Sequence, residues 1–297
     1  MKQIPIPDIP DLRFAGLADQ TIVVVGGAGG GVGTACVSLL ARNGAHVLLV
    51  DRDGAAARQV ASRIAGSIAV VVADVATDGG IELLRTTLQQ VRPSGFIHVV
   101  GGVKTGEVAH FLDITAEQWR QSIETNLTCA MQAGQATAQR MAETGQPGAI
   151  VNLSVADARF AMPWFAPYGA ARAGLEALTR TMAVELGPLR IRANCVCWGL
   201  IDSPRAHAGA RSDGSAEHDL IPLGRRGTVG EVAATALFLL SDASAYITGQ
   251  SISVDGGLTL RLSHYGPRHN LPEFLESEPE RTRLAADAHR WHGDLGP

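Results

Sequence analysis

"TIVVVGGAGGGVGTACVSLLARNG", residues 21–44, is the stretch from which the rest of the chain can be read. Its first half is a short β-branched apolar run that ends in glycine, the pattern of a buried strand. From Val32 onward the apolar residues have helical spacing and stop at Gly44. The stretch therefore predicts a strand, a glycine turn and a helix. Glycines at such a turn let the backbone approach a pyrophosphate, whose charge then sits on the helix N-terminus. Gly27, Gly31, Val32 and Gly33 are the candidate contacts.

A glycine cluster alone is weak support for a dinucleotide site, and the strand before it and helix after it strengthen the reading. So does Asp51, which ends the next apolar run, "AHVLLVD" (45–51), at about the expected 20-residue distance. There it can accept hydrogen bonds from an adenosine ribose. In isolation Asp51 reads equally well as a turn or N-cap residue. A carboxylate at this place repels a 2′-phosphate and favours NAD, whereas the adjacent Arg52 keeps NADP open.

The alternation continues along the chain. Helices are predicted near 55–65, 80–91, 115–143, 168–186 and 229–241, and strands at 67–75, 96–102, 148–154, 190–199 and 250–257. The seven strand runs are continuous rather than alternating in Val, Ile and Leu, so they are covered on both faces. The fold class is α/β: a Rossmann-like, doubly wound, seven-stranded parallel sheet with helices on both faces. Residues 1–16 read as a proline-rich arm, 17–260 as the expected dinucleotide-binding, catalytic domain, and 261–297 as a tail. The polar stretch 203–222 has no clear periodicity and reads as a lid or loop over a site, or as an insertion without function.

Composition narrows the function classes. The 297 residues are 46% apolar and 18% charged, an ordinary globular balance. Lys and Arg number 25 against 29 Asp and Glu, a net charge of −4, and no basic run tracks a phosphate backbone, so nucleic acid is not expected as a partner. No apolar run reaches spanning length and no signal-peptide core is present, so no membrane is expected and the cytoplasm is the default compartment. Cys36, Cys129, Cys195 and Cys197 are too few and scattered for a disulfide framework. Cys195 and Cys197 flank Val196 in a strand-like run, share one face, and read as core residues rather than as metal ligands.

"YGAAR", residues 168–172, puts a tyrosine and a cation four residues apart on one helix face. A phenol ordinarily ionises near 10, so its use as a base at neutral pH needs a nearby positive charge. Arg172 supplies charge, but a guanidinium keeps its proton and cannot pass one along a relay.

Several stretches together resemble the short-chain dehydrogenase/reductase family over about 17–260. "GGAGGGVG" is similar to that family's TGxxxGxG, "ADV" (73–75) to its adenine-contacting Asp-Val, "ETNLT" (124–128) to its asparagine helix, and "YGAAR" to YxxxK. Residues 222–257 resemble the family's C-terminal segment. The resemblance implies a nicotinamide dinucleotide held by the glycine turn, by Asp74 and Val75, and by Gly101, Gly102 and Gly199. It further implies Tyr168 as proton donor or acceptor at a carbonyl or hydroxyl group, a serine polarising the same oxygen, and Asn126 holding a water of the relay. Homodimers or homotetramers formed through the helices near 115–143 and 168–186 and the last strand are implied as well.

The departures gather at the nicotinamide end. The family lysine is Arg172, its Asn-Asn-Ala-Gly is Val99-Val100-Gly101-Gly102, its Pro-Gly is Trp198-Gly199, and its first threonine is Gly26. The serine position, thirteen residues before the tyrosine, is Val155, while Ser154 lies fourteen before it. One residue of slip turns a strand side chain to the other face. Ser154 reaches the site only if the segment after it, irregular at Pro163 and Pro167, absorbs the offset.

Three readings follow. The first is an oxidoreductase moving hydride between NAD(H) and a carbonyl or alcohol of a small, fairly apolar substrate, with Tyr168 as acid/base. The second is a non-redox cyclase, lyase or dehydratase that uses Tyr168 and Arg172, with Asp157, Arg159 and Trp164 as further groups. The third is a partner subunit whose catalytic apparatus has decayed. The tail can form a helix with Leu275, Leu284 and Trp291 on one side, or stay disordered.

Overall fold

Strands without polar side chains must be covered on both faces, and parallel strands need long crossovers, which here are helices. The computed structural model describes residues 3–9, 11–103, 107–204, 206 and 220–260. The chain alternates as β1 (Thr21–Val25), α1 (Val32–Arg42), β2 (His46–Asp51), α2 (Gly54–Arg63), β3 (Ser67–Val72), α3 (Asp78–Leu88) and β4 (Pro93–His98). It goes on as α4 (Ala116–Ile123), α5 (Cys129–Glu143), β5 (Gly148–Val155), α6 (Ala166–Leu186) and β6 (Ile191–Trp198). After two short strands, β7 (Ile201–Asp202) and β8 (Gly227–Thr228), come α7 (Val229–Leu240) and β9 (Ser251–Val254).

Seven strands form one parallel sheet in the order β3-β2-β1-β4-β5-β6-β9. The order reverses between β1 and β4, which opens a crevice at the carboxyl ends of these strands, where ligands of such sheets bind. One face is covered by α1 and α7 through Leu39, Leu40, Val232 and Leu237. The other is covered by α3 and α5 through Leu84, Cys129 and Met141. Each fully buried aliphatic side chain contributes about 1.5–3 kcal/mol relative to exposure. Asp53, Thr77, Thr115 and Thr228 cap α2, α3, α4 and α7, the last two in reciprocal boxes with Gln118 and Glu231.

Four features differ from the sequence reading. The helix predicted over 115–143 is interrupted by a five-residue π-type turn, Glu124–Thr128, between α4 and α5. β4 stops at His98, and Gly101 and Gly102 beyond it take φ of +143° and +124°, outside strand geometry. β7 and β8 pair with each other, two residues apiece, too short for a periodicity to announce. The proline-rich arm packs on the domain: Ile9 is buried, Ile4 and Ile6 lie on the α1–α7 core, and the Ile4 amide donates to Gln59 Oε1 at 2.6 Å. The tail 261–297 and most of the 203–222 stretch lie outside the described residues.

Candidate active site

The glycine turn owes its shape to contacts that only glycine permits. A Cβ at Gly33 would overlap the Gly26 carbonyl, and one at Gly27 would overlap Leu49. Thr34, one turn into α1, fastens the loop: its hydroxyl donates to the Gly27 carbonyl at 2.7 Å and accepts from the Gly30 amide at 2.9 Å. A threonine in the first helical turn was the available signal for this residue, and sequence reasoning passed over it. At Gly29 and Gly31 an added Cβ would meet nothing within 4 Å. These two positions line open space at the N-terminus of α1, whose first turn carries no acidic residue. A bare amide cradle at the positive end of a helix fits a dinucleotide pyrophosphate.

Asp51 stands beside this turn. Its Oδ2 accepts from the Ala28 amide at 3.0 Å and its Oδ1 from the Asp53 amide at 3.0 Å, so the carboxylate is oriented by backbone. Arg52 lies 3.9 Å from Asp74 in an exposed pair of little energetic weight. Asp74 Oδ1 accepts from the Ala76 amide at 3.1 Å, and Val75 is buried.

A cleft of about 690 Å³ joins the two halves of the site. Gly29, Gly31, Val32 and Gly33 line one part of it, and Tyr168, Arg172, Gly101, Gly102 and Gly199 another. Val99, Met162, Phe165, Trp198 and Leu200 give it an apolar wall. Gly27, Asp51, Arg52, Asp74 and Val75 are set back from this lining, as are Asn126 and Ser154.

Tyr168 enters on the first turn of α6, behind Pro167, whose fixed φ suits the start of a helix. Arg172, one turn on, is 1% exposed, with its guanidinium carbon 5.3 Å from the Tyr168 ring centroid. That is cation–π range. Its Nη1 donates to the Leu153 carbonyl at 2.9 Å, and its Nε has no partner. No carboxylate pairs with it among the described residues. Burial, and secondarily the Arg172 charge, hold His98 far below the ordinary imidazole range, at about 3. His98 Nε2 lies 3.6 Å from Cys129 Sγ, whose thiol burial pushes up to about 12, so this buried pair is neutral.

Asn126 sits in the π-type turn with no exposure. Its Oδ1 accepts from the Gly102 amide at 2.7 Å, and its Nδ2 donates to the Gly102 and Ser122 carbonyls at 3.2 and 3.0 Å. The side-chain amide is thus saturated by backbone and clamps the Gly101–Gly102 segment. Ser154 remains within β5, paired in register with Cys197, and its hydroxyl donates to the Arg172 carbonyl at 3.1 Å. The Ser154 expectation is corrected here. The strand runs on through Val155, nothing absorbs the one-residue offset, and the hydroxyl faces α6 instead of the cleft. Cys195 and Cys197 are buried with their sulfurs 3.8 Å apart, next to Glu176 and the Arg159 that pairs with it at 2.9 Å. Among the described residues no group of His, Cys, Asp and Glu is arranged to hold a metal ion, and no helix is long and apolar enough to cross a membrane.

Residues 27–259 match the family described as enoyl-(acyl carrier protein) reductase. L-xylulose reductase of Bos taurus is 35% identical over 250 residues, covering 83% of this chain and 98% of its own. The chain belongs to the short-chain dehydrogenase/reductase family. L-rhamnose 1-dehydrogenase (NAD(P)(+)) of Azotobacter vinelandii is 34% identical over 83% of this chain and 99% of its own. Among solved structures, a short-chain dehydrogenase/reductase family oxidoreductase from Burkholderia thailandensis superposes with a TM-score of 0.75 at 32% identity, covering 82% of this chain and 94% of that one. The protein is accordingly an oxidoreductase of the short-chain dehydrogenase/reductase type acting on a small molecule.

Proposed function

We propose that this enzyme moves hydride between NAD(H) and the carbonyl or carbinol carbon of a small, fairly apolar substrate, with Tyr168 as acid/base. The observation that carries the reading is one cleft lined at once by the bare glycine cradle and by a tyrosine with a buried guanidinium against its ring. The nicotinamide, when bound, supplies the hydride acceptor or donor. Gly29 and Gly31 present backbone amides to the pyrophosphate, and oriented Asp51 favours an unphosphorylated ribose. In alcohol oxidation Tyr168 takes the hydroxyl proton, and in ketone reduction it returns it. Arg172 steadies negative charge on the phenol oxygen without surrendering a proton.

Two named relatives, for xylulose and rhamnose, are named for sugars. The wall of Met162, Phe165, Trp198 and Leu200 supports a less hydroxylated substrate here, a secondary alcohol or ketone with an apolar flank. Exposed Met131, Val184 and Leu189 on and just beyond α5 and α6 support assembly of this chain with copies of itself, which light scattering on the eluted protein tests.

The deciding experiment titrates NAD(H) and NADP(H) into the purified protein and follows nicotinamide absorbance with a panel of secondary alcohols and ketones. Turnover with NAD that disappears in Tyr168→Phe supports the proposal. Tight dinucleotide binding with no absorbance change across the panel sinks it. That result would favour ring closure or elimination at the same tyrosine, a reading to which the turned-away Ser154 hydroxyl lends support. Silence of every such assay, with and without Tyr168, would leave a partner-subunit role.

A further inference from the structure

The Arg172 guanidinium occupies the space that a side chain at position 101 would fill. An alanine methyl at Gly101 would overlap Arg172 Nη2, would lie 2.7 Å from its Cζ, and would come within 2.6 Å of Asn126 Oδ1. Real Cβ atoms do not come this close to other heavy atoms, so one of the groups would have to leave. Asn126 cannot yield, because both ends of its amide are tied to Gly102 and Ser122. The guanidinium is the group that would move, since its anchoring among the described residues is a single hydrogen bond to Leu153.

We propose that Gly101 is a positioning residue for the reaction: its missing side chain admits the Arg172 guanidinium to the seat beneath Tyr168, so that positions 101 and 172 work as a matched pair. The inference rests on the reading of Tyr168 and Arg172 as the acting pair and adds what holds them together. Three contacts converge on it. The Leu153 carbonyl holds Nη1 from β5, the Tyr168 ring covers the guanidinium from the cleft side, and Asn126 holds the Gly101–Gly102 segment against it. His98, buried and neutral, places no second cation beside it. A lysine ammonium is a compact head with no planar fork, so the space left by a missing methyl at 101 matters to an arginine and not to a lysine.

The test is a double-mutant cycle of wild type, Gly101→Ala, Arg172→Lys and Gly101→Ala/Arg172→Lys. It is read by kcat with the fastest alcohol or ketone of the panel and, independently of activity, by thermal unfolding. Gly101→Ala alone is expected to lose on the order of 100-fold in kcat, since ångström-scale misplacement of a site group costs about that much. It is also expected to lower Tm by about 3 °C. Adding Arg172→Lys should recover at least tenfold in kcat and about half of the lost Tm. Alanine at φ +143° is strained whatever stands at 172. Equal losses in both backgrounds would therefore assign the whole effect to backbone strain and overturn the proposal. So would a Gly101→Ala enzyme with wild-type kcat. Failure of the underlying reading looks different: Arg172→Met would keep wild-type kcat, and the catalytic pairing of 101 with 172 would fall with it.

Discussion

The Ser154 hydroxyl donates to the main-chain carbonyl of Arg172 at 3.1 Å, inside the protein and turned away from the cleft. The bond ties the end of β5 to the turn of α6 that carries the cation. That carbonyl also serves the ladder of α6, so the group the bond satisfies is the buried serine hydroxyl itself. Ser154→Ala is therefore expected to cost about 0.5–1.5 kcal/mol of stability, the net worth of one hydrogen bond whose acceptor keeps its helical partner. Its kcat should stay within about threefold of wild type, far from the 10²–10⁴ attached to a working acid/base group. Urea unfolding and steady-state kinetics on the same preparation check both halves, and a thousandfold loss in kcat would return the serine to the reaction.

Removing only the phenol oxygen tests the proton-transfer role itself. Tyr168→Phe keeps the ring that covers Arg172 and should leave NADH affinity within about threefold. Turnover should fall by roughly 10³-fold, within the range for a positioned general acid/base. Fluorescence titration of NADH separates binding from chemistry in this variant.

Under the proposed function, Asp51 sets the choice between the dinucleotides. Asp51→Ala removes both the carboxylate that would repel a 2′-phosphate and the acceptor for the Ala28 amide. We expect NAD affinity to fall about tenfold while NADP affinity holds or rises, so that the ratio of the two dissociation constants moves toward NADP. An unchanged ratio would mean that Asp51 serves the turn alone.

His98 makes stability depend on acid. Burial first, and the Arg172 charge second, hold its native value at about 3, below the ordinary 6.5. Between these values the unfolded chain binds a proton that the native protein refuses, so stability is complete above about 6.5 and is lost as pH falls toward about 3. Going from pH 7 to pH 4.5 should remove about 2 kcal/mol through this residue. The wild type should accordingly lose more of its urea resistance over that interval than His98→Leu does, and parallel losses would refute the assignment.

Much of the architecture was legible because it depends on local pattern. Continuous Val and Ile runs such as 21–25 and 46–51 can be satisfied only by a sheet covered on both sides, and glycine before Val32 marks the turn. What the pattern could not reveal depends on contacts between distant segments. Whether Ser154 faces the cleft turns on whether β5 continues through Val155, a one-residue matter that backbone pairing with Trp198 decides. The break at Glu124–Thr128 accompanies the reach of Asn126 to Gly102, 24 residues away. The exchange of room between Gly101 and Arg172 is a volume relation with no periodicity at all.

The opening arm shows how far such distant contacts extend. Gly30 is held at φ +73°, and a Cβ there would meet the Pro5 ring at 2.8 Å, so the arm lies directly against the glycine turn. A protease clip before Leu12 would strip that cover while leaving every residue of the cleft in place. Enzyme shortened in this way and enzyme with the arm attached are consequently two different samples for any cofactor measurement.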